Sequence, residues 1–286
     1  MTTRDAIAAA ASAVSGAGAL LISAGAGMGV DSGLPAVRGP GGFADAYPRW
    51  ADAGLRYEDL VRPAAFDGDP HLAWGFHGTC RRLYRSTRPH AGFAVLRRWA
   101  AGRPGGAFVY TSNVDGQFQA VGFDARRVME CHGSALRLQC TGPCSPHVWD
   151  AGADPVRVDE ATGRALDPLP ACPRCGRLAR PNVRMFDDAC WVGRETAAQS
   201  GRFEAWKADV AGGAVTVLEI GAGTVVPAVR VANEWSVRQL GATLVRINPT
   251  EADVPAGHVA VPCGALTALT VIDRAMRGDG EPSGSA

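Results

Sequence analysis

Short apolar runs that stop at a polar or glycine-rich turn alternate with stretches of helical period along this chain. Ala19–Ser23, Ala107–Thr111, Val215–Ile220 and Thr243–Ile247 are too short for helices and carry apolar residues at successive positions. Runs of this kind read as strands covered on both faces, and their alternation with helical patterns predicts an α/β fold with a largely parallel sheet. Two stretches break the alternation. Residues 44–95 show helical patterns rich in aromatics (Trp50, Tyr57, Phe66, Trp74, Phe76, Tyr84) and no convincing strand. Residues 138–185 hold paired cysteines, many prolines and little periodicity. A segment so poor in apolar residues needs a metal to be ordered. Ahead of the first strand, an Ala-rich run from Arg4 reads as a helix. Asp5 interrupts it, and alanine is too weakly apolar for a secretory leader.

The predicted organisation is a Rossmann-like open parallel sheet from residues 1–43, 96–137 and 186–277, with a smaller lobe inserted into it. That lobe comprises a helical insert (44–95) and a zinc-binding module (138–185); a Gly/Ser/Pro-rich tail at 278–286 is expected to be disordered. With 286 residues and 47% hydrophobic content the chain can bury a full core. A net charge of +1, with arginines in isolated doublets, gives no basic field for nucleic acid. No run is long enough to span a bilayer, so a soluble protein is expected. Four of the eight cysteines fall in close pairs and the rest are scattered, which favours a reducing cytoplasm over a disulfide framework. Nothing here predicts the oligomeric state.

The strand ends carry the candidate chemistry, where open α/β sheets bind ligands. Gly25-Ala26-Gly27 follows the first strand and suits a dinucleotide pyrophosphate, its amides left free to donate. A dehydrogenase unit would need a third glycine where Val30 stands and a second strand over residues 40–52, so hydride transfer is disfavoured. Cys140 and Cys144 enclose three residues, Cys172 and Cys175 enclose two, and 27 residues separate the pairs. Four thiolates so spaced suit one structural zinc ion, with His147 a conceivable substitute ligand.

The order of these parts resembles the sirtuins, NAD-dependent protein deacylases, over roughly residues 15–270. The motifs that carry the resemblance are Gly25-Ala26-Gly27, Ser32-Gly33-Leu34-Pro35 with Arg38, Thr111-Ser112-Asn113-Val114-Asp115, His132-Gly133, the cysteine pairs, and Gly221-Ala222-Gly223 with Asn248. The resemblance implies that Arg38 helps hold NAD, that Ser112, Asn113 and Asp115 line the nicotinamide pocket, and that His132 is the general base. It further implies that Gly221, Ala222, Gly223 and Asn248 bind phosphate and adenosine ribose, with Cys263 at the adenine. The implied reaction passes the acyl group of a lysine in a protein or peptide to the ribose of NAD. Nicotinamide and O-acyl-ADP-ribose are released. The chain departs from the family at several points. Ala36-Val37 replaces the usual Asp-Phe, Ala222-Gly223 replaces Thr-Ser, and Asp187 stands at the glycine of the peptide-binding Phe-Gly-Glu. With a smaller residue at Val37, acyl chains larger than acetyl or water can compete at the ribose. ADP-ribosyl transfer, NAD hydrolysis and a catalytically weak NAD-binding module therefore stay open.

Overall fold

The computed structural model describes residues 2–37, 41–152 and 156–278. Among the described residues nine strands form two sheets: β1 (Ala19–Ala24), β2 (Ala107–Thr111), β3 (Val128–Glu130), β4 (Gly133–Cys140), β5 (Val148–Asp150), β6 (Ala179–Val183), β7 (Val215–Ile220), β8 (Thr243–Ile247) and β9 (Val259–Val261). The large sheet runs β3-β2-β1-β7-β8-β9 with every neighbouring pair parallel. The four predicted strands are its centre, and the short β3 and β9, at three residues each, are its edges.

Side chains alternate across the sheet as the pleat requires. Leu20, Ile22, Ala24, Leu218 and Ile220 face one core, with Phe93, Leu96 and Trp99 of the helix Ala91–Ala100 and Leu269 and Ile272 of the helix Ala265–Arg277. Ala19, Leu21, Val215 and Val217 face the other, with Phe203 and Trp206 of the helix Arg194–Val210 and Leu240 of the helix Ala228–Leu240. β1 and β7 are buried along their whole length, which is why neither shows a polar face in the sequence. The N-terminal helix Thr3–Gly16 forms as expected, closed by a capping box of Thr2 and Asp5.

A third core unites the helical insert and the second sheet, which is antiparallel in the order β5-β4-β6. Tyr47, Trp50, Leu60, Phe66, Trp74 and Phe76 pack with Leu138, Ala179 and Met185. The Trp74 indole also donates to the Ala179 carbonyl across 2.8 Å. The long helix Pro70–Ser86 is capped by Asp69, which accepts from Leu72 N–H and pairs with Arg164 at 2.6 Å. Gly75 in that helix lets the 163–164 turn approach, since a Cβ there would stand 2.0 Å from the Gly163 carbonyl oxygen. The line drawn at residue 95 between insert and sheet domain falls inside the helix Ala91–Ala100, whose buried Phe93, Val95, Leu96 and Trp99 belong to the core on one face of the large sheet. All but the first residue of the expected tail at 278–286 lies outside the described residues.

Candidate active site and zinc centre

Strand order turns at β1: the chain passes outward through β2 and β3, then returns to β7 on the other side of β1. The crevice of such a sheet opens at the carboxyl ends of the two central strands. Here the loops after β1 and β7 interlock. A Cβ on Gly25 would lie 2.6 Å from the Gly221 carbonyl oxygen, and one on Gly27 would lie 2.7 Å from Gly221 Cα. Gly221 itself takes φ 61°, and a Cβ there would meet the Gly27 carbonyl carbon at 2.4 Å. Two amides expected to be free are used in this contact: Gly25 N–H donates to Ile220 O and Gly27 N–H to Gly221 O, each at 3.0 Å. The glycines therefore shape the loop first, and any phosphate donor must come from elsewhere along it.

The β2 end is tied to the same loop. Thr111 Oγ1 donates to Ala24 O and accepts from Asn113 N–H, while the Asn113 amide donates to Gly25 O, all at 3.0 Å. Ser112 N–H joins Ala24 O at 3.1 Å. Asp115 accepts from Gln117 N–H at 2.9 Å, and burial pushes its carboxyl up to about 6. Glu130, at the end of β3, is pushed up to about 7, by burial first and also by the neighbouring Asp115 charge. His132 lies in the turn between β3 and β4, its carbonyl accepting from Arg184 N–H at 2.9 Å. Gly133 makes that turn possible: at φ 75° its Cβ would stand 2.1 Å from Asn182 O.

Sequence reasoning missed His90. Its Nε2 meets Met28 O at 3.0 Å and its Nδ1 accepts from Gly92 N–H, while its backbone N–H donates to Ser32 Oγ. Ser32 in turn donates to Gln117 Oε1 at 3.2 Å. This chain braces the glycine loop against the Asp115 turn. It ends on Gln117 Nε2, a buried donor with no hydrogen-bond partner among the described residues. No motif announces these residues, because each binds backbone or a neighbour distant in sequence.

On the β7 side Ala222 O accepts from Arg230 and from Asn248 Nδ2, the latter at 3.1 Å. Asn248 Oδ1 accepts from the N–H groups of Thr250 and Glu251 at 3.0 Å. Cys263 follows β9 beside the start of the helix Ala265–Arg277, where Asp31 accepts from Leu266 N–H at 2.7 Å. Gly25, Ala26, Gly27, Ser112, Asn113, Asp115, Gly221, Ala222, Gly223 and Asn248 thus gather at one end of the sheet, and Cys263 follows the carboxyl end of β9, its N–H donating to Val261 O. Arg38 lies outside the described residues.

Across from the sheet, Val37, Phe43, Leu55 and Tyr57 line a cavity of about 370 Å³. Phe43 and Tyr57 rings stand 6.1 Å apart, and Tyr57 meets Phe186 edge-on at 6.3 Å. Asp187 keeps the left-handed conformation a glycine would take, at φ 52°. It is held by Arg62 at 2.6 Å, and Phe186 N–H is fixed to Val61 O. Asp188 pairs with Arg180 at 2.7 Å in full burial.

The four paired cysteines converge. Cys140 and Cys175 sulfurs are 3.7 Å apart, as are those of Cys144 and Cys172, and all four lie within 4.8 Å of one another. Zinc–sulfur bonds of about 2.3 Å give a tetrahedron with edges of about 3.8 Å, so the set fits one zinc ion. Arg177, 3.5 Å from Cys175, pulls that thiol down to about 6, toward the thiolate a metal binds. His147 stacks on Trp149 and is not in the cluster. β4 begins beside His132 and ends at Cys140, an eight-residue strand. The metal is therefore on the order of 20 Å from the histidine, too far to activate a nucleophile there.

A model of the Sir2 family matches residues 25–212. The chain is 33% identical to NAD-dependent protein deacylase 2 of Pyrobaculum aerophilum over 232 residues, covering 80% of this chain and 78% of that one. It is 33% identical to NAD-dependent protein deacylase 1 of Pseudomonas aeruginosa over 243 residues, covering 82% and 85%. Among solved structures, a Sir2 homologue in complex with NAD superposes with a TM-score of 0.69 at 23% identity, over 94% of this chain and 93% of that one. At that identity the superposition speaks for the fold.

Proposed function

This chain belongs to the Sir2 family, and on that premise we propose that it is an NAD-dependent protein lysine deacylase with NAD as co-substrate and one structural zinc ion. The observation that carries the reading is the convergence of the interlocked glycine loops, Asn113, Asp115 and the His132-Gly133 turn at one end of the parallel sheet. NAD fits this place on two counts. The loops after β1 and β7 pack so closely that no Cβ would fit between them, which sets their main chain together at the carboxyl ends of the central strands. Gln117 Nε2, a buried amide donor without a hydrogen-bond partner among the described residues, belongs to the turn whose acidic acceptor is Asp115.

When bound, NAD supplies an activated ribose carbon and a neutral leaving group, nicotinamide. The protein's own groups position and protect. Asp115 recognises the carboxamide, and Asn113 holds the β2 turn to the glycine loop. His132 takes the proton from a ribose hydroxyl; an imidazole suits that step because it titrates near neutrality. Gly221, Ala222, Gly223, Asn248 and Cys263 receive the adenosine half, and Arg38 is the arginine expected to help hold the cofactor. The acyl-lysine of a protein or peptide enters between the two lobes beside Phe186 and Asp187. None of the eight cysteines is in a disulfide, and with four of them read as zinc ligands a reducing cytoplasm is the compartment we propose. No helix among the described residues is long and apolar enough to cross a membrane.

Incubation with NAD and an acyl-lysine peptide, followed by mass spectrometry, tests the reading. Deacylated peptide with O-acyl-ADP-ribose is the expected pair of products. ADP-ribosylated protein or free ADP-ribose alone would replace it with the transferase or hydrolase reading.

A further inference from the structure

At the two positions after Gly221 the loop following β7 carries no side chain able to bind a cofactor, and the hydroxyl of the next residue, Thr224, is spent on the Glu251 carboxylate at 3.3 Å. Ala222 and Gly223 have neither hydroxyl nor amide, so only main-chain groups can serve there. Which main-chain group faces outward is settled by one peptide plane. A trans peptide points its C=O and N–H in opposite directions. Ala222 is buried and Gly223 exposed, and the Ala222 carbonyl is turned inward. It accepts from Arg230 Nε at 3.1 Å, Arg230 Nη2 at 3.0 Å and Asn248 Nδ2 at 3.1 Å. The N–H of Gly223 must then point away from this cluster, toward the open end of the sheet.

We propose that Arg230 is a positioning residue for the adenosine half of NAD: its guanidinium locks the Ala222–Gly223 peptide so that Gly223 N–H faces the bound phosphate or ribose. The inference rests on the NAD reading above. Arg230 sits in the first turn of the helix Ala228–Leu240 and reaches back over the loop. Its other bonds hold the guanidinium in place: Nη2 donates to Glu251 O at 2.6 Å and meets the Glu251 carboxylate at 3.2 Å, and Glu219 stands 3.9 Å behind. Glu219 in turn has its own partners, Arg246 at 2.5 Å and the Asn233 amide at 2.8 Å. The Arg230 side chain is 11% exposed. With its charge met by carboxylates and its donors used on backbone oxygens, this arginine acts through the loop and not by touching the cofactor. A flipped peptide would strand the Arg230 Nε–H and the Asn248 amide and take one acceptor from Nη2, so the fork and the amide together select one orientation.

The test uses the full zinc-loaded chain and ADP-ribose as the calorimetric probe. Arg230→Met should weaken ADP-ribose about 5- to 30-fold, the worth of one to two hydrogen bonds. KM for NAD should rise alike, while kcat at saturating NAD and inhibition by nicotinamide, at the other end of the site, stay unchanged. Arg230→Lys keeps the charge but cannot fork onto Ala222 O while holding Glu251, so it should retain at least half of the loss on a logarithmic scale. Should the methionine variant fail to fold, the lysine variant carries the test. Glu251→Gln, which leaves both bonds to Ala222, should bind ADP-ribose within about twofold of the original. Unaltered ADP-ribose affinity in Arg230→Met, full rescue by lysine, or an equal loss in Glu251→Gln would overturn the inference. If the unmodified protein itself binds no ADP-ribose, the NAD reading fails instead.

Discussion

Asp115 is the place where function and stability pull apart, and Asp115→Asn measures by how much. Burial raises its carboxyl from 3.8 to about 6. A raised acid pKa means that the folded chain binds the proton more tightly than the unfolded one. The group's favourable contribution is therefore present below the unfolded value near 4 and is lost as pH rises through about 6. A shift of about 2 units corresponds to about 3 kcal/mol of penalty for holding the carboxylate folded at neutral pH. Glu130, raised to about 7 partly by the Asp115 charge, extends the same window upward, so the two titrate as a pair. Asparagine keeps an acceptor for Gln117 N–H and cannot ionise. At about pH 8 the variant should be more stable by about 1–3 kcal/mol, a rise of roughly 2–9 °C in melting temperature. At about pH 5 roughly half of the gain should remain, and it should vanish only below about pH 4, where the unfolded chain also holds the proton. Thermal melts followed by circular dichroism at the two pH values read this directly, and a deacylation assay on the same sample should show lost activity. An equal gain at both pH values, or a loss at the higher one, would refute the buried-carboxylate argument.

Three further outcomes follow from the same geometry. His132→Ala should leave ADP-ribose binding nearly intact and cut turnover about 10²–10⁴-fold, the usual worth of a positioned base; full activity would make the histidine a packing residue. Purified protein should carry about one equivalent of zinc, and Cys144→Ala should lose it and loosen the small lobe first, read as faster proteolysis between residues 138 and 185. Val37→Phe should fill part of the 370 Å³ cavity and lower turnover of long-chain relative to acetyl peptides, together with any NAD hydrolysis without peptide; an unchanged acyl profile would show that Phe43 and Tyr57 already set the pocket.

The sheet was legible because its central strands are buried on both faces and their runs are mostly apolar, with Ser23 in β1 and Thr216 and Glu219 in β7 as buried exceptions. β3 and β9 were not, since three residues leave no period to read. The shared core of the small lobe was hidden for a different reason: Trp74 meets Ala179 across more than a hundred positions, and nothing local marks such a contact. In the site, the residues with a fixed motif, His132, Asn113, Asp115 and the four cysteines, could be named from spacing and resemblance. His90, Gln117, Glu130 and Arg230 could not. Each works on a backbone oxygen, a buried neighbour or a turn, and such work tolerates many residue types, so it leaves no signature. The glycines of the first loop were found but their reason was misjudged in part: two of their amides serve the loop after β7.

The polar groups left unsettled at this end of the sheet point in one direction. Asp115 and Glu130 are held above their usual range, and Gln117 Nε2 is buried without a hydrogen-bond partner among the described residues. Through the centre of the sheet the polar groups form a matched chain, Ser23–Asn233–Glu219–Arg246. Polar groups left unsatisfied at the crevice leave free energy there for a ligand to recover. A carboxamide offers an acceptor for the glutamine and a donor for the carboxyl, so it relieves both at once, whereas ADP-ribose relieves neither. Nicotinamide should therefore stabilise the protein by more than its few contacts suggest. The excess should disappear in Asp115→Asn, where the penalty has already been removed. Dissociation constants of nicotinamide and of ADP-ribose, measured by calorimetry on both chains, separate the terms: nicotinamide should weaken in Asp115→Asn and ADP-ribose should not. If nicotinamide binds Asp115→Asn as tightly as it binds the original chain, the strain is unrelated to the ligand and the crevice is merely wet.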